Sequence, residues 1–203
     1  MPLREELLTI GNSTVEWFRN RQESPSSTDV APYHVYVYPP DREWEVRRDV
    51  NVDLAGWLDA RSPRIPYLSI SLAELFWDAI DGSGFADELF AQERETADSP
   101  AAQAEVHRGV AELLRRPTPF STRVLDAIRA RSTGDAAVFL YRAGALFPSF
   151  RTSGLLEDLR SHLPVPVTLL YPGKLYGDFG LSFMGKWDPT YTYRATIVDG
   201  TKR

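Results

Sequence analysis

The chain has 203 residues, 43% apolar and 25% charged, with a net charge of −5 and no cysteine. That length and balance predict one globular domain over residues 1–203 with a sizeable core, not a disordered chain. They exclude disulfides, thiolate metal sites and a cysteine nucleophile, lower the expectation of a phosphate-gripping DNA binder, and leave no apolar run long enough to span a bilayer. The N-terminus lacks the apolar core of a signal peptide, so a cytoplasmic protein is expected, with no membrane contact.

Residues 3–20 have helical spacing, with Leu3, Leu7, Leu8 and Ile10 on one face. A break is predicted near Gly11-Asn12, after which Ser13 and Glu16 form a capping box. Residues 21–32 contain Ser24-Pro25-Ser26-Ser27 and are predicted as loop, so residues 1–32 form a helical segment and linker. Residues 33–38 are the first strand. Pro39-Pro40-Asp41 ends it and opens a helix with Asp41 as N-cap. Val46, Val50, Leu54, Trp57 and Leu58 form its apolar stripe, and Trp44 stands about 110° from the stripe's centre at about 100° per residue. Ser62-Pro63 closes this helix, and residues 65–70 form a second strand, completing a βαβ unit. Ser71 and Glu74 make a capping box at the strand's end. The helix that follows buries Leu72, Leu75, Phe76 and Ile80, leaves Trp77 roughly 130° off that stripe, and stops at Gly82 and Gly84.

Residues 85–131 are predicted as a helical insertion. A helix runs over 85–96 and a polar loop over 97–100. A second helix carries Val106, Val110, Leu113 and Leu114. A third, introduced by Thr118 as N-cap and Pro119 at the first helical position, buries Phe120, Val124, Leu125 and Ile128. Residues 136–141 then form a short apolar run behind Thr133-Gly134-Asp135, which marks a buried strand. A loop starting at Arg142 leads to a helix capped by Thr152 or Ser153, with Leu155, Leu156, Leu159 and Leu163 as its stripe and Pro164 as its stop. Residues 165–171 are the next strand, and Pro172-Gly173 turns the chain. Strand, helix and strand in so short a span require a parallel pair with a right-handed crossover. After Gly173, residues 181–184 and 191–198 are predicted to form an antiparallel hairpin around Gly185, Trp187 and Asp188-Pro189. The expected fold is therefore a three-layer α/β domain. Its mostly parallel sheet comes from two βαβ units, joined by a helical insertion and a C-terminal antiparallel hairpin.

In open α/β sheets ligands bind beyond the carboxyl ends of the strands. That edge gathers Asp41, Glu43, Arg142, Arg151, Thr152 and Lys174. Two arrangements follow. The cluster is a phosphate pocket, helped by the free N–H groups of the helix near Thr152. Alternatively Arg142 pairs with Asp41 or Glu43 and pins the two loops, which is the expectation adopted. No phosphate loop exists: Pro39-Pro40-Asp41-Arg42-Glu43 follows the first strand without glycine, and neither Gly173-Lys174 nor Gly185-Lys186 has the spacing. His34, His107 and His162 show no metal-ligand spacing and are expected as surface or capping residues. There is no G-x-S-x-G elbow. No catalytic residue, metal or cofactor is expected. Trp44, Trp77 and Trp187 are the candidate interface residues, since exposed aromatics concentrate binding energy. Arg42, Arg47, Arg48, Arg61 and Arg64 are expected as a solvated helix face, with direct DNA contact the weaker alternative.

Several stretches together resemble one family. They are His34-Val35-Tyr36-Val37-Tyr38-Pro39-Pro40 with Glu43, Glu45, Val46 and Arg47; residues 138–148; Arg151-Thr152-Ser153; Val167-Thr168-Leu169-Leu170-Tyr171-Pro172-Gly173; and Tyr193-Arg194-Ala195. They are similar to the BrxB proteins of BREX, the bacteriophage exclusion systems of bacteria, from about residue 33 to 197. The resemblance implies a role in phage defence beside a PglZ-type protein, a methyltransferase and an ATPase. It carries over no catalytic residue. A non-catalytic adaptor of the BREX assembly, bound to a PglZ-type partner, is the expected function. The alternative is a nucleotide- or phosphate-binding enzyme subunit using the strand-end pocket.

Overall fold

The computed structural model describes residues 3–24, 30–132, 134–160, 162–191 and 195–201. Helix α1 (Glu5–Glu23) is continuous, which corrects the break predicted at Gly11. The glycine is there for another reason: a Cβ on Gly11 would stand 2.7 Å from the Trp57 ring, so it marks a close approach between helices. Most of the predicted Ser-Pro linker lies outside the described residues. Strand β1 (Tyr33–Tyr38) is buried at every position. A single 3-10 turn at Pro40–Arg42 follows, and α2 (Glu43–Arg48) starts without a side-chain cap, so Asp41 is exposed and is not the N-cap. A π-helical stretch (Asp49–Leu54) continues into α3 (Ala55–Asp59). The buried residues Val46, Val50, Leu54 and Leu58 are spaced by four. An α-helix advances about 400° over four residues and would rotate this row off the core, whereas the wider i→i+5 turn keeps it in line.

Strand β2 (Tyr67–Ser71) leads directly into α4 (Leu72–Asp81), where the Ser71 hydroxyl accepts from the Glu74 N–H at 3.2 Å, as the capping box predicts. The insertion folds as α5 (Ala86–Glu95), α6 (Pro100–Leu113) and α7 (Phe120–Arg131). Pro119, not Thr118, occupies the N-cap position of α7. Strand β3 (Ala137–Tyr141), helix α8 (Thr152–Arg160) and strand β4 (Val167–Tyr176) follow, then β5 (Gly180–Phe183), β6 (Thr190–Tyr191) and β7 (Thr196–Asp199). The side chains of Ser153 and Leu156 lie outside the described residues, as does the 192–194 part of the last predicted strand.

The fold is α/β, and the main sheet has the order β2-β3-β4-β1-β7 with all neighbours parallel. Alternation sends each strand's side chains to two faces. Tyr33, Val35, Val37, Val138, Leu140, Val167 and Leu169 join the core built with α4, α7 and α8. Tyr36, Tyr38, Phe139 and Leu170 join the core built with α1, α2 and α3. Strands buried on both sides explain the near-continuous apolar runs in the sequence.

Two expectations about the C-terminal third change. Pro172-Gly173 does not turn the chain: β4 runs on to Tyr176, leaving the parallel sheet and pairing antiparallel with β5, with Gly173 opposite Phe183. The predicted hairpin partner of β5 is divided. Thr190–Tyr191 pairs antiparallel with β5, whereas Thr196–Asp199 lies parallel to β1, His34 opposite Thr196. The open edge of a buried strand needs hydrogen-bond partners, and β7 supplies them to β1.

Candidate functional site

The carboxyl edge of the sheet carries a hollow of about 270 Å³ lined by Pro40, Glu43, Arg142, Gly144, Pro172 and Met184. The fully buried Tyr38 ends β1, and its phenol donates to Glu43 Oε2. Glu43 Oε1 is buried and without a hydrogen-bond partner. Burial, then the charge and hydrogen bond of Glu43, push the Tyr38 phenol well above its ordinary range, with Arg47 pulling the other way. Tyr38 is thus a permanent donor that fixes Glu43. Arg47 stacks at 4.8 Å over the ring of Tyr141.

Arg142 adopts the left-handed conformation, φ 58 and ψ 36. Met184, on the same hollow, has φ 54, and these two are the only non-glycine residues with positive φ among those described. Such backbone costs on the order of 1–3 kcal/mol per residue and concentrates at functional sites. The expected ion pair of Arg142 with Asp41 or Glu43 does not form: Arg142 is exposed and has no carboxylate within salt-bridge distance among the described residues. The physical reason is the strand order. β4 lies between β1 and β3, so Arg142 and Glu43 line the same hollow without meeting, and the Tyr38 hydroxyl takes Glu43 Oε2.

The rest of the predicted cluster separates. Arg151 lines a larger hollow, about 600 Å³, with Arg115, Phe120, Phe150, Asp158 and Trp187. Its guanidinium stacks at 4.7 Å over the Trp187 ring. Thr152 is buried and hydrogen-bonds the phenol of Tyr171. Asp41 and Lys174 are exposed and line neither hollow.

The three tryptophans also differ. Trp187 is half-buried, with ring centroids 5.2 Å from Phe147 and 5.6 Å from Phe183, so it belongs to the core's rim. Trp44 exposes 75% of its surface. Trp77 exposes 46% and sits 5.1 Å edge-on to Phe76 and 6.1 Å from Phe90. A hollow of about 180 Å³ opens beside it between α4, α5 and α6. Phe85 and Phe90 are also exposed, and no spacing or motif in the sequence sets them apart. The nearest signal is an α5 stripe, Leu89 and Phe90, too weak to bury any residue of that helix.

Of the arginines expected on a solvated face, Arg48 and Arg64 are exposed, Arg47 and Arg61 are half-buried, and Arg42 lies inside. Arg42 is buried and pairs with Glu45 at 3.0 Å, Arg48 pairs with Asp49 at 3.0 Å, Arg61 stacks 3.9 Å over Trp57, and Arg64 pairs with Asp59. His34, expected at the surface, is 1% exposed. His162 does cap, its Nδ1 lying 3.0 Å from the Asp158 carbonyl at the end of α8. His107 Nδ1 meets the Ser149 hydroxyl at 3.1 Å. Among the described residues no group of three His, Asp or Glu is placed to hold a metal ion, and no helix is long and apolar enough to cross a membrane.

Residues 68–198 match the protein family described as BREX protein BrxB. The span takes in Trp77, Arg142, Arg151, Thr152, Lys174 and Trp187, and it includes the helical insertion. Asp41, Glu43, Trp44 and the motif at His34 lie before it. Comparison with curated proteins gives no match, and neither does comparison with solved structures.

Proposed function

Since the chain belongs to the BrxB family and so to the BREX phage-defence systems, we propose that it serves there as a non-catalytic adaptor. A PglZ-type protein is its first partner, with the methyltransferase or the ATPase as alternatives, and the assembly works in the cytoplasm. The observation that supports this reading is Trp77, half-exposed beside Phe90 over an apolar hollow on the surface of the matched region. Large exposed aromatics beside a concave apolar surface are the usual anchors of protein interfaces. The test is affinity capture from cells carrying a complete BREX system. Trp77→Ala should lower both capture of the PglZ-type protein and phage resistance at an unchanged melting temperature. Unchanged capture and resistance in Trp77→Ala and in Trp44→Ala would count against the adaptor reading.

A second reading, a nucleotide- or phosphate-binding subunit, is favoured by the exposed cation of Arg142, held on a left-handed backbone beside the strand-end hollow. Calorimetric titration with ATP, GTP and inorganic phosphate decides it. Binding that disappears in Arg142→Ala or Arg151→Ala would support this subunit over the adaptor.

A further inference from the structure

The segment that supplies two helical walls of the hollow beside Trp77 is acidic. Residues 72–99 carry eight carboxylates and a single cation, Arg94, a net −7 against −5 for the whole chain. All eight are exposed, and none is in an ion pair among the described residues. Glu93 lines the hollow itself, and the apolar lining includes Phe76, Trp77, Leu89, Phe90, Val106 and Val110. Helix α5 buries none of its residues fully, so its apolar side has too little cover within this chain.

We propose that this groove receives a basic amphipathic helix of a partner protein, its apolar side chains seated between α4, α5 and α6 and its lysines or arginines on the acidic rim. The inference rests on the adaptor reading and adds the partner's chemistry. At about 180 Å³ the hollow is smaller than the roughly 300–1,000 Å³ of small-molecule sites, which suits an anchoring side chain. Its walls are three helices and the 145–149 segment, with no open strand edge, which favours a helix laid in a groove over strand addition. The unpaired carboxylates select a cationic partner and repel nucleic acid. They also oppose a second copy of this chain, since a two-fold contact would set the same acidic surface against itself.

The test is fluorescence anisotropy with a labelled synthetic helix carrying leucines at i, i+4, i+7 and i+11 and flanking lysines. A control keeps the leucines and replaces the lysines by glutamates. The lysine peptide should bind and weaken about tenfold or more between roughly 50 and 500 mM salt, as screening shortens the reach of the rim charges. Trp77→Ala with Phe90→Ala, and separately Glu88→Gln with Glu93→Gln, should each weaken it by a similar factor at unchanged melting temperature. Equal binding of the glutamate peptide, or no effect of either pair of substitutions, would overturn the inference. So would self-association in sedimentation that Trp77→Ala abolishes, which would make a second copy the occupant. No peptide binding, alongside BREX capture that Trp77→Ala abolishes, would refute the basic helix and leave the adaptor standing. Peptide binding without BREX capture would do the reverse.

Discussion

At His34 the fold holds an imidazole in the middle of the sheet, 1% exposed and with Nδ1 lacking a hydrogen-bond partner. Burial lowers its pKa from 6.5 to about 4, so the folded protein keeps it neutral. Between those two values the unfolded chain binds the proton and the folded one does not. Stability is therefore complete above about pH 6.5, falls as the pH drops towards 4, and loses nothing more from this residue below that. The whole step is worth about 3 kcal/mol. Thermal melts across this window should show the decline, and His34→Gln should flatten it. Arg142 makes a different prediction. Its side chain is exposed and unpaired, so Arg142→Ala should change stability by less than about 0.5 kcal/mol. Arg142→Gly removes the left-handed strain and should raise stability by about 0.5–1 kcal/mol, read as a higher melting temperature. The sequence places this arginine at the strand's end but not its neighbours, because a linear chain does not state which strands are adjacent.

Within elements, most of what propensity and periodicity indicate is present. The capping box at Ser71, the apolar row from Val46 to Leu58 and the buried strands at Tyr33–Tyr38 and Ala137–Tyr141 were legible because local chemistry decides them. Glycine was the weak point, since the same residue serves a turn, a break or a close approach. Gly11 was predicted to break α1, and its role is instead to admit the Trp57 ring. Gly173 was predicted to turn the chain, and it lies inside a strand that passes from parallel to antiparallel pairing. A Cβ at Gly173 would stand 2.3 Å from the Ser182 carbonyl oxygen, a backbone atom that cannot swing away. Gly173→Ala should therefore destabilise the protein by on the order of 3 kcal/mol, with urea titration as the measurement. The small antiparallel sheet and Met184 beyond it should be displaced first.

At the scale of the whole molecule, strand order was the feature the sequence concealed. Both βαβ units are right in kind, yet β1 and β2 are separated by β3 and β4, and β7 arrives from the far end of the chain to flank β1. Contacts this distant in sequence leave no local signal. They also set the limit on any fragment. The span that matches the BrxB family starts at residue 68 and omits β1, α2, α3 and α1. Without β1, strands β4 and β7 would lose their shared neighbour and their ladder bonds. Without α1–α3, Phe139, Leu170 and Val198 would be uncovered on one face of the sheet. Exposed apolar surface beside unpaired strand edges favours aggregation. Residues 68–198 expressed alone should therefore lack a cooperative melt, bind a hydrophobic dye and fail to stay monomeric, whereas co-expression with residues 1–67 should restore the transition. A sharp, two-state melt of the isolated fragment would show that the family's matched region carries its own complete core.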